Sequence, residues 1–240
     1  MALGTPSVAL SVVIPFFNEE AVAYEVVDEL GRQLKAGGSP WEAILVDDGS
    51  TDRTGAELER ARARWPQCRR LRLPENRGQG AALYAGIRAA SAPTIAMMDG
   101  DGQNVPADLG VLVALLDRAD LVVGVRRDRH DSPLRRGLSR LANAVRGRML
   151  RDGVSDAGCA LKVFRREVAT AFWPVPMLNP FMPALAAAAG FRVLEHPVGH
   201  RARAGGRSKY GLRVMLYRPC LDLLAIWWLL RRRRRPGARG

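Results

Sequence analysis

Short apolar runs alternate with amphipathic stretches along the first half of the chain. Leu10-Ser11-Val12-Val13-Ile14-Pro15 is a β-branched run closed by Pro and predicts a buried parallel strand. A helix is expected from Asn18 or Glu19 to about Leu34, with Val22, Val26, Val27 and Leu30 on one face. Gly37-Gly38-Ser39-Pro40 reads as a loop and Trp41–Val46 as a second strand. Thr51 is the expected cap of a helix over 54–64, and Arg70–Leu73 a third strand. A glycine-rich turn, Asn76-Arg77-Gly78-Gln79-Gly80, opens a helix over 78–90. The apolar run Thr94–Met98 follows, then a helix from Pro106 to about Asp117 and a strand over 120–125. This β-α alternation predicts an α/β fold with a mostly parallel sheet and helices on both faces.

Beyond Arg126 the pattern changes. Residues 126–151 are arginine-rich, with Leu134, Leu138, Leu141, Ala142 and Val145 at helical spacing. Arg135, Arg140, Arg146 and Arg148 read as a solvated basic face. Leu161–Phe164 suggests a strand, Phe181–Ala189 a helix and Arg192–His196 a late strand. Val214–Leu230 is apolar but interrupted by Arg218, Pro219 and Asp222, and falls short of the ~20 apolar residues that cross a bilayer. Trp227-Trp228 followed by Arg231–Arg235 fits an interfacial helix instead, with indoles at headgroup depth and arginines on anionic lipid. The expected division is a catalytic domain over 1–211 and a basic, Trp-containing helix and tail over 212–240.

Composition sharpens that division. The 240 residues carry a net charge of +13, of which residues 201–240 hold +11 and residues 1–200 only +2. A basic tail on a near-neutral body points to an anionic membrane surface. Nucleic acid is disfavoured, because no aromatics interleave with the basic residues as stacking platforms. Cys68, Cys159 and Cys220 are widely spaced and fit neither a zinc site nor a disulfide framework.

The candidate chemistry lies where strands end. Asp99-Gly100-Asp101 closes one apolar run and Asp47-Asp48-Gly49-Ser50 another. Ligands of open α/β sheets bind at the carboxyl ends of strands, so two acidic strand ends suggest one site. Hard divalent cations take carboxylate oxygens and could clamp a diphosphate there. The turn at Asn76–Gly80 offers backbone N–H groups to an anion. It lacks the glycine spacing of a dinucleotide fingerprint after the first strand, which disfavours a dehydrogenase.

Four motifs in order resemble the GT-A glycosyltransferases of family 2: Ser11–Glu19, Val46–Asp52, Asn76-Arg77-Gly78 and Met98–Gln103. Ser155-Asp156-Ala157-Gly158-Cys159 and Gly206-Arg207-Ser208-Lys209-Tyr210 are similar to the polyprenol-phosphate branch, typified by dolichol-phosphate mannosyltransferases. The resemblance covers about residues 8–212. It implies a GT-A (Rossmann-like) fold and transfer of a sugar from a GDP- or UDP-linked donor to a polyprenyl (undecaprenyl or dolichyl) phosphate. It also implies a Mg²⁺ or Mn²⁺ requirement and work at the cytoplasmic membrane face. A membrane partner subunit is compatible with it. The alternative is a family 2 transferase acting on another glycan or lipid-linked acceptor. Phe17 stands where the family usually carries Tyr, so stacking or packing is expected there without a hydroxyl contact. Many family members carry clear transmembrane helices, against only the interrupted 214–230 segment here.

By this resemblance Asp99, Asp101 and Gln103 are expected at the metal. Pro15, Phe17, Glu19, Asp47, Asp48, Arg77, Gly78 and Asp99 are expected on the donor. Arg126, Arg136 and Ser139 are placed on the acceptor phosphate, with Arg207, Ser208 and Lys209 as a lid over the diphosphate. Asp101, Arg126 and Arg136 form the expected catalytic set. A lipid phosphate is ionised near neutral pH and needs positioning and charge neutralisation more than a base. Direct displacement with inversion at the anomeric carbon follows. The sugar and the base stay open.

Overall fold

The computed structural model describes residues 8–127, 133–202 and 212–232; the side chains of 133–136, 138–142 and 212–220 fall outside the described residues. Arg207, Ser208, Lys209 and His130 fall outside them altogether, as do the side chains of Arg136 and Ser139.

The chain runs β1 (Leu10–Phe16), α1 (Ala23–Ala36), β2 (Trp41–Asp47), α2 (Thr54–Arg64), β3 (Cys68–Arg72), α3 (Gln79–Ala89), β4 (Thr94–Met97) and α4 (Asp108–Ala114). It continues through β5 (Leu121–Arg126), α5 (Pro133–Leu150), β6 (Lys162–Arg165), α6 (Leu178–Ala188), β7 (Val193–Val198) and α7 (Leu212–Arg232). The strands form one seven-stranded sheet in the order β3-β2-β1-β4-β6-β5-β7. All pairings are parallel except those of β6, which lies antiparallel between β4 and β5. The sheet is therefore mostly parallel, as the alternation predicted; the reversal of β6 was not legible, because an apolar run carries no direction.

Side-chain alternation splits the core in two. Val12, Ile14, Ala43 and Leu45 face α1, α2 and α4, where Val26, Leu30, Leu58 and Leu112 pack on them. Val13, Ile44 and Val46 face the other way, towards Leu83 and Ile87 of α3 and Met182 of α6. Ile226 of α7 joins this second cluster, so the C-terminal helix packs onto the body. Among the described residues no helix is long and apolar enough to cross a membrane.

Local details depart from the sequence pattern in several places. α1 begins at Ala23 rather than at Asn18 or Glu19, because Asn18–Val22 turn around the Glu19 carbonyl, which accepts the Val22 and Ala23 N–H groups at 3.1 and 2.9 Å. Thr51 does not cap α2. Its N–H donates to Asn18 Oδ1 at 2.8 Å, while Asp52 Oδ1 takes the Thr54 N–H at 2.9 Å and Glu20 Oε2 the Arg53 N–H at 2.8 Å. The solvated face on α5 is also corrected at one position. Arg146 is buried and forks onto Asp152, and its Nη2 donates to the Val154 carbonyl at 2.8 Å. Arg148 is exposed, as expected.

Candidate active site

Strand order decides where the site lies. β1 connects onward through β2 to β3 on one side, and β4 then returns to the other side of β1. The crevice outside the carboxyl ends of β1 and β4 is thus the topological switch point, where such sheets bind ligands. Gly100 lets the two strand ends approach: a Cβ there would stand 2.5 Å from Phe16 Cδ1 and 2.7 Å from the Pro15 carbonyl oxygen. Phe16 is buried beneath the crevice, whereas Pro15, Phe17 and Glu19 are half-buried along the same strand end.

The Asp47-Asp48 pair is an organiser of the turns around it. Asp47 Oδ1 accepts the Ser50 N–H at 2.9 Å and Oδ2 pairs with Arg70. Burial pushes Asp47 up, but these partners outweigh it and hold the carboxyl below its ordinary range. Asp48 accepts the Arg77 and Gly78 N–H groups at 2.8 and 2.9 Å. Burial dominates there and raises its pKa. The glycine-rich turn is therefore bolted to the second strand end. Gly78, at φ 87°, adopts a backbone that favours glycine and leads directly into α3. The Arg77 side chain lies out in solvent beside Glu75.

The Asp99–Asn104 turn is built similarly. The Asp99 N–H donates to Asn104 Oδ1 at 2.7 Å, and Asp101 Oδ1 accepts the Gln103 N–H at 3.1 Å. Gln79, at the start of α3, donates to Asp99 Oδ1 at 2.6 Å. Burial and the neighbouring Asp101 charge push Asp99 up to about 6. Gln103 Nε2 donates to the Arg201 carbonyl at 3.2 Å, and the Gln103 carbonyl accepts the Arg201 N–H at 2.9 Å. Residues 200–201, just before the expected lid, are thus fastened to the acidic turn; Arg201 also forks onto Glu29 at 2.8 Å for both bonds.

Arg126 ends β5 on the same edge of the sheet, with β6 between it and β4. Its Nε and Nη2 donate to Asp156 at 2.8 and 2.7 Å, and its backbone N–H donates to Asp156 Oδ2 at 3.2 Å. Glu195 in turn accepts the Ser155 and Asp156 N–H groups at 2.7 and 3.1 Å. Arg136 and Ser139 belong to α5, the next helix in the chain.

Sequence reasoning missed Lys162. It sits in an apolar run on β6, opposite Met97 of β4 on one side and Val123 of β5 on the other. Its side chain is fully buried, and Nζ donates to the Ala157 carbonyl at 3.1 Å, to the Cys159 carbonyl and to Asn179 Oδ1. Burial lowers its pKa to about 8, against the pull of Cys159, Asp99 and Asp156. The available signal was a charged residue inside a strand between two motifs. Asn18, Gln79 and Asn104 were missed too, being short polar links rather than reactive groups.

The residues expected on the donor and the acidic turn are thus gathered at one crevice, with Arg126 along the same edge. Among the described residues no three His, Cys, Asp or Glu side chains cluster as a metal cage. The two carboxylates of Asp99 and Asp101 nevertheless suit a hard cation, since the Asp101 charge opposes that of Asp99 and a cation between them would relieve it.

An open sheet with acidic turns at its switch point defines a GT-A-type glycosyltransferase fold. Solved structures of that class match it. Glucosyl-3-phosphoglycerate synthase from Mycobacterium tuberculosis, in complex with Mn²⁺, UDP-glucose and phosphoglyceric acid, has a TM-score of 0.70 at 21% identity, covering 92% of this chain and 80% of that one. A mannosyltransferase from Pyrobaculum calidifontis, in complex with GDP-Man and Mn²⁺, has a TM-score of 0.65 at 21% identity, covering 98% of this chain and 70% of that one. The glycosyl transferase family 2 model matches residues 11–173, and the chain belongs to that family. A dodecaprenyl-phosphate galacturonate synthase of Rhizobium johnstonii is 38% identical over 96% of this chain and 70% of its own length. An undecaprenyl-phosphate 4-deoxy-4-formamido-L-arabinose transferase of Edwardsiella ictaluri is 37% identical over 86% of this chain. The chain spans 64% of that second relative's length.

Proposed function

We propose that the protein transfers a sugar from a UDP- or GDP-linked donor to the phosphate of a polyprenyl lipid, with inversion. The observation that carries this is Arg126, held in a two-point fork by Asp156 on the same sheet edge as the acidic turn. Two strand spacings, roughly 10 Å, separate β4 from β5. That span leaves room for a sugar between a diphosphate at Asp99–Asp101 and an acceptor phosphate at Arg126. The relatives named above act on dodecaprenyl and undecaprenyl phosphate, which supports the same acceptor class.

On the donor side, Pro15, Phe17 and Glu19 line the nucleotide. Asp47 and Asp48 retain carboxylate lone pairs for the base and ribose while their present bonds fix the turns. Arg77 and Gly78 stand at the helix entry, where their N–H groups hold Asp48 and the exposed Arg77 side chain reaches the donor. Asp99, Asp101 and Gln103 would hold Mg²⁺ or Mn²⁺; the Gln103 amide nitrogen is engaged by Arg201, which leaves Oε1 as its ligand atom. Such a cation takes up the negative charge that gathers on a departing diphosphate.

On the acceptor side, Arg126, Arg136 and Ser139 orient the lipid phosphate for attack opposite the leaving group. The fork from Asp156 keeps Arg126 in place without a substrate present. Arg207, Ser208 and Lys209 close over the donor and exclude water. The C-terminal helix and tail rest on the anionic cytoplasmic leaflet, where the acceptor resides. A membrane partner subunit would fit beside them.

The test is a transfer assay with Mn²⁺, undecaprenyl phosphate and a panel of labelled nucleotide sugars, counting label in the organic phase. One donor should give lipid-borne label of inverted configuration by NMR, and Asp101→Ala should abolish it. Retained configuration, or label that enters only water-soluble acceptors, would overturn the reading.

A further inference from the structure

α7 carries a groove between itself and the C-terminal ends of α5 and α6. Its volume is about 370 Å³, and Met149, Leu150, Trp227 and Leu230 line it together with Arg151 and Arg231. Among the described residues no carboxylate lines it. At about 100° per residue, Leu224, Trp228 and Leu221 follow Trp227 around the helix within roughly 120°. They are 52%, 49% and 59% exposed, and Val145, one turn before Met149 on α5, is 46% exposed. The groove therefore opens onto the largest run of uncovered apolar side chains on the described surface.

Arg151 supplies a second, independent observation. It stands just past the end of α5 at φ 53°, and its N–H donates to the Gly147 carbonyl at 2.8 Å. That is the left-handed helix-ending bond, at the position where glycine is usual. An arginine there is held against its own backbone preference. The buried Arg146–Asp152 pair, with the Val154 N–H on Asp152 Oδ1 at 3.2 Å, clamps the next residues and keeps it so. Among the described residues no ion pair occupies its guanidinium. Arg231, on α7, also lines the groove and lies over the Trp227 ring, 4.2 Å from its centroid.

From the apolar floor, the two arginines that line it and the absence of any acid among its described lining residues, we infer that this groove binds one anionic phospholipid, its phosphate at Arg151 and Arg231 and an acyl chain against Trp227 and Met149. The inference rests on the membrane-surface reading above. It adds a defined lipid site that fixes how the body is oriented on the bilayer, separate from the acceptor site.

Co-sedimentation of the full chain with phosphatidylglycerol-containing vesicles, against phosphatidylcholine alone, tests it. Arg151→Gly should weaken binding about tenfold or more, the scale of a lost charge-assisted hydrogen bond. Its unfolding midpoint should equal or exceed that of the parent, because glycine suits the backbone. Arg148→Gln removes the same charge from an exposed site outside the groove and should cost no more than the roughly fivefold of a diffuse surface charge. Ala188→Leu narrows the groove without changing charge and should also weaken binding. Equal losses for Arg151→Gly and Arg148→Gln, or no loss for Ala188→Leu, would overturn the site while leaving the surface reading intact. Failure of the unaltered chain to sediment with anionic vesicles would remove both. Vesicle binding that survives every variant while KM for undecaprenyl phosphate rises would assign the groove to the isoprenoid chain and overturn the phospholipid.

Discussion

At the scale of single residues, the turns of the site are held by polar side chains bonded to backbone groups as well as to one another. Lys162 is the clearest case, since its ammonium ties two carbonyls of the Ala157–Cys159 segment to Asn179. Lys162→Met leaves those acceptors buried and unpaired, so a loss of about 1–3 kcal/mol in stability is expected from chemical denaturation. Asp156 rides on the same segment, so KM for the lipid should rise while KM for the donor holds. Asp156→Asn should show the same split, because the Arg126 fork is lost. Asp99 predicts a pH response. Its folded pKa of about 6 lies above the ordinary 3.8, so the folded state holds the proton more tightly than the unfolded chain. This contribution to stability is full below about 3.8 and fades as pH rises through about 6. Thermal unfolding of the metal-free protein from pH 4 to 7 should show the decline, and Asp99→Asn should flatten it.

At the scale of elements, what could be read from the chain were the apolar runs and the residues that end them. Asp47-Asp48 and Asp99–Asp101 stood out because acids close apolar runs there, but the bonds by which Asp47 and Asp48 hold the neighbouring turns were not legible. The pairing of Arg126 with Asp156 was not legible either, since it joins residues thirty apart with α5 between them. Arg146 and Arg148 are indistinguishable in a basic helical stretch, yet only Arg146 meets a buried acid. The start of α1 was misplaced because Asn18 turns left-handed, at φ 51°, and bonds the Ser50-Thr51 turn instead. Helix-to-sheet distance depends on glycine in α3: a Cβ on Gly86 would collide with Val13 and stand 2.9 Å from Val46 Cγ2. Gly86→Ala should therefore destabilise by about 1–3 kcal/mol, as overpacking does, despite the better helix propensity of alanine. Urea unfolding would measure it.

For the whole molecule, charge and apolar exposure coincide. The near-neutral body carries the crevice, and the strongly basic end carries Leu221, Leu224 and Trp228 in the open. Binding to anionic vesicles should fall as salt rises from 0.05 to 0.5 M, a range over which the screening length shrinks from above to below about 10 Å. Transfer to a short-chain acceptor soluble in water should change little over that range, which separates docking from catalysis. The antiparallel β6 has one more consequence, for synthesis on the ribosome. β1 to β4 can pair as soon as residue 97 emerges, so the half of the sheet that carries the acidic turns is able to fold early. β4 and β5 each keep an open edge until residues 162–165 arrive to fill the gap between them. The half of the crevice proposed for the donor is thus assembled before the half proposed for the acceptor, and a nascent chain halted between those points exposes two sticky strands that only its own later residues can close.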